Sequence, residues 1–237
     1  MLQHIDLKQI LVLDIETVPQ YSSFDQVPAH LAKLWDDKTK RGRAEEESPA
    51  EFYSKAGIWA EFGKIVCISV GVFNQQQERI SLRIKSFASD DEKELLIQFI
   101  DLLKKQPASL MLCAHNGKEF DFPYLCRRLL INRLEIPPQL QISGKKPWEI
   151  NHLDTMELWK FGDYKNYTSL SLLAAVFDIP TPKNDIDGSD VGRVYWQDKD
   201  LQRIKIYCQK DVATTAQLLL CFRGQAIVQE EHIALVD

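Results

Sequence analysis

Asp14 and Glu16 stand two residues apart in ILVLDIETVP, alternating with Leu11, Leu13 and Ile15. Successive side chains on a strand point to opposite faces, so the carboxylates share one face and the aliphatic residues the other. Two like charges at the end of a buried strand repel each other and lose hydration, a cost of several kcal/mol in rough terms unless something neutralises them. The alternative places both beyond the strand, in solvent, capping the turn before Pro19. An isolated D-x-E does not choose between these readings.

Two further acids stand at informative places. Asp121, in HNGKEFDFPYL, directly follows the apolar run SLMLCAHN, and His115-Asn116-Gly117 reads as a tight exit from that strand. Open α/β sheets place their sites at the C-terminal ends of strands. Pro123 favours the first turn of a following helix, so Asp121 also reads as an ordinary helix N-cap. Asp211 lies in YCQKDVATTAQLLL, four residues after Tyr207, which puts both on one face of a long helix. A core aromatic and an exposed helix charge would explain that pair equally well.

The elements that must position these groups are readable from periodicity. Strands are expected at about 9–15, 64–73, 79–87, 109–115 and 150–154, with the NQQQE between the second and third as a hairpin turn. Helices are expected near 28–37, 49–56, 123–134, 155–161, 168–177 and 199–222. Another, from Ser89 to Lys105, carries a Ser89/Glu92 capping-box signature. DDKTKRGRAEEE reads as a solvated loop or exposed helix. Strands first run without helices and then alternate with them, implying a mixed sheet with helices on both faces. The expectation is one α/β domain over 1–237, with a helical and loop insertion at about 18–63.

Composition sets bounds but does not decide function. The net charge of −5 excludes a protein coated in basic surface for sequence-independent duplex binding. Cys67, Cys113, Cys126, Cys208 and Cys221 are scattered without a CxxC pair, against both a zinc site and a disulfide framework. No apolar run approaches the roughly 20 residues that cross a bilayer. The N-terminus lacks a basic segment followed by a long apolar one, so a cytoplasmic location is expected.

LVLDIETVP, HNGKEFDFPYL and YCQKDV together resemble, in order, the three motifs of the DEDD (DnaQ-like) 3′→5′ exonucleases. The Asn-Gly pair ahead of FDFPYL is similar to the family-B DNA polymerase form of the second motif. Tyr-x-x-x-Asp is similar to the Tyr-type (DEDDy) branch. The resemblance covers residues 11–215 and points to stand-alone exonucleases related to the proofreading domain of those polymerases. It implies a ribonuclease H-like fold, a mixed five-stranded sheet with three antiparallel strands followed by two parallel ones.

The resemblance also implies roles. Asp14, Glu16 and Asp211 would hold one metal ion, Asp14 would be shared by a second that Asp121 reaches through water, and Tyr207 would orient the attacking water. All-oxygen ligands suit Mg²⁺ or Mn²⁺ rather than zinc. Lys183 would meet the scissile phosphate and Asn116 the terminal nucleotide, unless both are only turn residues. Phe120 and Phe122 would stack a terminal base or pack in the core. Asp154, in HLDTMELW, stands outside the metal set as a candidate supporting residue. The implied reaction releases nucleoside monophosphates from the 3′ end of single-stranded DNA. An exoribonuclease and a non-catalytic polymerase-accessory binding module are the alternatives. No polymerase segment fits in the remaining chain, so the module is expected to act alone or with a separate polymerase or repair protein.

Overall fold

The computed structural model describes residues 1–77, 79–163, 165, 167–181 and 186–236. Six strands and eight α-helices are formed among them: β1 (Ile10–Pro19), α1 (Ala29–Thr39), α2 (Pro49–Phe52), β2 (Gly63–Gln76), β3 (Arg79–Ala88), α3 (Glu92–Lys104), β4 (Met111–Ala114), α4 (Asp121–Ile131), β5 (Leu153–Asp154), α5 (Thr155–Lys160), α6 (Leu170–Val176), α7 (Val191–Arg193), α8 (Leu201–Phe222) and β6 (Ile233–Val236). The strands make one mixed sheet in the order β5-β4-β1-β2-β3-β6. β1, β2 and β3 are antiparallel neighbours, whereas β4 runs parallel to β1 and β5 parallel to β4. These are the five expected strands. The sixth, β6, lies parallel to β3 and was not expected.

The alternation of β1 decides the layering. Leu11, Leu13 and Ile15 enter one core with Leu95, Leu96 and Phe99 of α3 and Phe122, Leu125 and Leu129 of α4. Ile10 and Val12 face the other way, into a second core with Val212, Ala216, Leu219 and Leu220 of α8. Asp14 and Glu16 continue that second face. Immediately beyond them, Val18 joins a third cluster with Ile204 and Cys208 of α8. The two acids therefore sit between two apolar contacts to the same helix.

Residues between β1 and β2 pack on an aromatic cluster of their own around the fully buried Trp35. The rings of Phe52, Tyr53, Trp59 and Phe62 surround it at 5.1–5.9 Å, and its indole N–H donates to the Pro49 carbonyl at 2.8 Å. Gly57 lets this segment close on β1, since a Cβ there would meet the Val18 backbone at 3.1 Å.

Two helix starts differ from expectation. α3 is capped by Asp91, which accepts from the Lys93 and Glu94 amides, rather than by a Ser89/Glu92 box. Glu92 is instead buried, bound to the guanidinium of Arg128 and accepting from the Ile65 amide at 2.8 Å. Asn132 donates to the same carboxylate, and Arg128 reaches the Ala60 carbonyl at 2.7 Å. The other difference is α4, which begins at Asp121, two residues before Pro123. Proline is tolerated there because the first-turn amides lack helical partners in any case.

The Glu92–Arg128 pair ties α3, α4 and β2 together with every charge partnered. Removing one partner strands the other in a dry site, which typically costs about 3–5 kcal/mol. Glu92→Ala is accordingly expected to lower the urea-unfolding free energy by about that amount. The double replacement Glu92→Leu/Arg128→Met is expected to recover most of it. A loss below about 1 kcal/mol for the single variant would contradict this role.

Candidate active site

Three elements converge on the α8 face of β1. The strand supplies Asp14 and Glu16, the first turn of α4 supplies Asp121, and the middle of α8 supplies Tyr207 and Asp211. A register shift falls between Glu16 and Thr17, so β1 departs from regular pairing with β2 directly after the second acid. Such bulges re-aim side chains and are common beside active sites.

Asp121 does not cap its own helix. Phe120 occupies the cap position without a side-chain bond, while the backbone amides of Asp121 itself and of Ile15 on β1 lie near the Asp121 carboxyl and pull its pKa down. The start of α4 is thus beside the strand carrying the other acids. Tyr207 directs its hydroxyl to the Asp211 carboxylate, as their four-residue spacing allows.

The electrostatics follow from burial and like charge. Asp14 is pushed well above the usual carboxylate range by burial and then by the charges of Asp211 and Asp121. Glu16 shifts the same way through burial, Asp14 and Asp211. Burial lifts Asp121 to about 7 despite its amide bonds, with Asp154 adding to the rise. Burial also lifts Asp211 to about 6, against the opposing pull of the Tyr207 hydroxyl and Lys210. Tyr207 is driven upward by burial and by the carboxylates of Asp211, Glu16 and Asp14.

The donor set fits a hard divalent cation. Oδ2 of Asp14 is buried without a hydrogen-bond partner among the described residues. Ligand atoms of Asp14, Glu16 and Cys208 lie within 4.8 Å of one another. The Cys208 thiol is occupied, donating to the Asp14 carbonyl at 3.4 Å. Oxygen ligands, an orphaned carboxylate oxygen and upward-shifted acids describe a site whose negative charge outweighs the positive charge near it. In the sequence Cys208 stood out only as one of five scattered cysteines. Its position three residues before Asp211 on α8 was the signal for its place here.

The other expected contacts divide. Asn116 adopts a left-handed conformation (φ 65°) at the β4 exit, beside the site. Phe120 is half-buried and packs on Tyr124 at 5.3 Å. Phe122 is fully buried in the core against His152, so it is not available to stack a base. Lys183 lies outside the described residues. Asp154 is buried and accepts four backbone amides.

A family model described as "Predicted 3'-5' exonuclease related to the exonuclease domain of PolB" matches residues 58–231. The chain belongs to that family. The matched span contains Asp121, Tyr207 and Asp211 of this exonuclease-family chain, while Asp14 and Glu16 precede it and join them through the fold. A DNA polymerase of Pyrococcus horikoshii is similar, with 24% identity over 176 residues. The match covers 67% of this chain but 14% of that polymerase, so the chain corresponds to a small part of it. The six-stranded mixed sheet with flanking helices is consistent with the ribonuclease H-like fold of such exonucleases.

Raised carboxyl pKa values have a definite consequence for stability. Unfolded carboxyls titrate near 4, whereas the folded values are about 6 for Asp211, about 7 for Asp121 and higher than usual for Asp14 and Glu16. The folded state therefore holds protons that the unfolded chain has released, and stability falls as pH rises through that window. Without divalent metal, Asp14→Asn is expected to melt above the wild type at pH 8 and to approach it at pH 5. Mn²⁺ at pH 8 is expected to raise the wild-type midpoint but not that of Asp14→Asn. Parallel melting curves for the two proteins across pH would refute this electrostatic account.

Proposed function

We propose that the protein is a metal-dependent 3′→5′ exonuclease of the Tyr-type branch, acting on single-stranded DNA to release nucleoside monophosphates. The observation that carries this reading is the buried, unpartnered Asp14 oxygen where the three motif-bearing elements meet. Membership of a family described as predicted 3′-5′ exonucleases supports the reaction, and similarity to a DNA polymerase supports the choice of DNA. Asp14, Glu16 and Asp211 would hold one Mg²⁺ or Mn²⁺ ion, and Asp14 with Asp121 would serve a second. When bound, such ions neutralise the scissile phosphate and lower the pKa of water.

The chain's own groups divide the remaining work. Tyr207 keeps its proton, because its surroundings disfavour phenolate. Its hydroxyl therefore orients a water molecule rather than deprotonating it. Asp211 holds that hydroxyl in place through their hydrogen bond. Asn116, half-buried in the turn that precedes Asp121, would contact the terminal nucleotide, with the half-buried Phe120 offering part of an aromatic face. A module of this kind would trim 3′ ends alone or alongside a polymerase or repair activity.

The direct test follows 5′-labelled single strands of DNA and of RNA with Mg²⁺. The wild type is expected to shorten the DNA stepwise while retaining the label. Asp14→Asn is expected to slow this about 10³-fold, equivalent to roughly 4 kcal/mol of transition-state stabilisation. Tyr207→Phe is expected to slow it about 10²-fold, the scale of a misplaced reactant. Equal cutting by wild type and Asp14→Asn would sink the metal site, and early release of the label would sink the polarity. Faster shortening of the RNA strand would instead make the protein an exoribonuclease.

A further inference from the structure

Asp154 is buried, and its four hydrogen bonds go to two different places. Oδ1 accepts from Met156 at 3.0 Å and Glu157 at 3.2 Å, capping α5. Oδ1 also accepts from Asn116 at 3.0 Å and Oδ2 from Lys118 at 3.0 Å, both in the turn that leaves β4. A cap alone needs only the first pair.

The second pair bears directly on Asp121. The Gly117–Lys118 peptide donates its N–H to Asp154 and accepts, at its carbonyl, from the Phe122 amide at 2.9 Å. Asn116 donates its N–H to Asp154, and its carbonyl accepts from the Phe120 amide at 3.0 Å. Each neighbour of Asp121 thus hangs from a backbone group fixed by the same carboxylate. The turn is also one that resists substitution. Asn116 has φ 65°, and a Cβ on Gly117 would meet the Ala114 Cβ at 2.4 Å.

We propose that Asp154 is the positioning residue for the second metal: its grip on Asn116 and Lys118 sets the direction in which Asp121 leaves the first turn of α4. This rests on the metal-binding reading above. Asp14, Glu16 and Asp211 are carried by β1 and α8, and among the described residues none of the hydrogen bonds of Asp154 goes to either element, so the first ion does not depend on the grip.

The test is a Mn²⁺ titration of the full chain, read by electron paramagnetic resonance and calorimetry, with melting curves of every variant. Two substitutions separate the two jobs. Asp154→Ser retains a hydroxyl that caps α5 but is too short to hold the turn. Asp154→Asn keeps the shape and loses one acceptor. Both are expected to bind the first ion within about twofold of wild type and the second about tenfold or more weakly, the usual effect of removing an outer support of a metal ligand. In an Asp121→Asn background, Asp154→Ser is expected to change Mn²⁺ binding by less than about twofold while still lowering the melting midpoint. Equal weakening of both ions, unchanged binding of both, or full additivity with Asp121→Asn would overturn the positioning role. A wild type that binds Mn²⁺ nowhere would overturn the metal reading itself, and the grip with it.

Discussion

Carboxylates held out of water beside one another repel, and this protein gathers four of them where its three motif-bearing elements cross. Nothing in that arrangement favours the folded state by itself. Asp14, Glu16, Asp121 and Asp211 are all shifted toward their protonated forms, and Asp14 keeps a buried oxygen without a partner. The repulsion is tolerable because the surrounding chain is rigid. Ile10, Val12 and Val18 pin β1 to α8 on either side of the acids, so the strand cannot twist them into solvent.

The rest of the fold acts as reinforcement of that constraint. The core between the sheet and α3 and α4 fixes the other face of β1, and the buried Glu92–Arg128 pair braces both helices against it. The Ile15 amide lies near the Asp121 carboxyl, beside the same strand that presents Asp14. Asp154 holds the preceding turn from behind. On the proposed reading stability and function pull in opposite directions here: the site is destabilising until cations bind, which is a common condition of active sites.

Much of this was legible in the sequence because β1 and β2 are long aliphatic runs whose periodicity is unambiguous. The Asp14/Glu16 face followed from that alternation, and the Tyr207–Asp211 pairing from helical spacing. What escaped was set by contacts distant in sequence. Glu92 matches a local capping box, yet its partner is Arg128, 36 residues away. β6 is a four-residue edge strand that owes its existence to pairing with β3, not to a pattern of its own. Asp154 looked like one more acid near a strand end, and only the turn folded over it shows four amides converging. Phe120 and Phe122 are indistinguishable by type, but Phe120 stands at the cap of α4 and stays half-buried against Tyr124, whereas Phe122 in its first turn is lost to the core.

The central claim is that the convergent carboxylates exist to hold divalent cations, and anomalous scattering tests it most directly. Crystals soaked in Mn²⁺, with data collected at the manganese edge, are predicted to show a peak in contact with Asp14, Glu16 and Asp211 in the wild type and none there in Asp14→Asn. A wild-type map without density at Asp14, at Mn²⁺ concentrations that support activity, would contradict it.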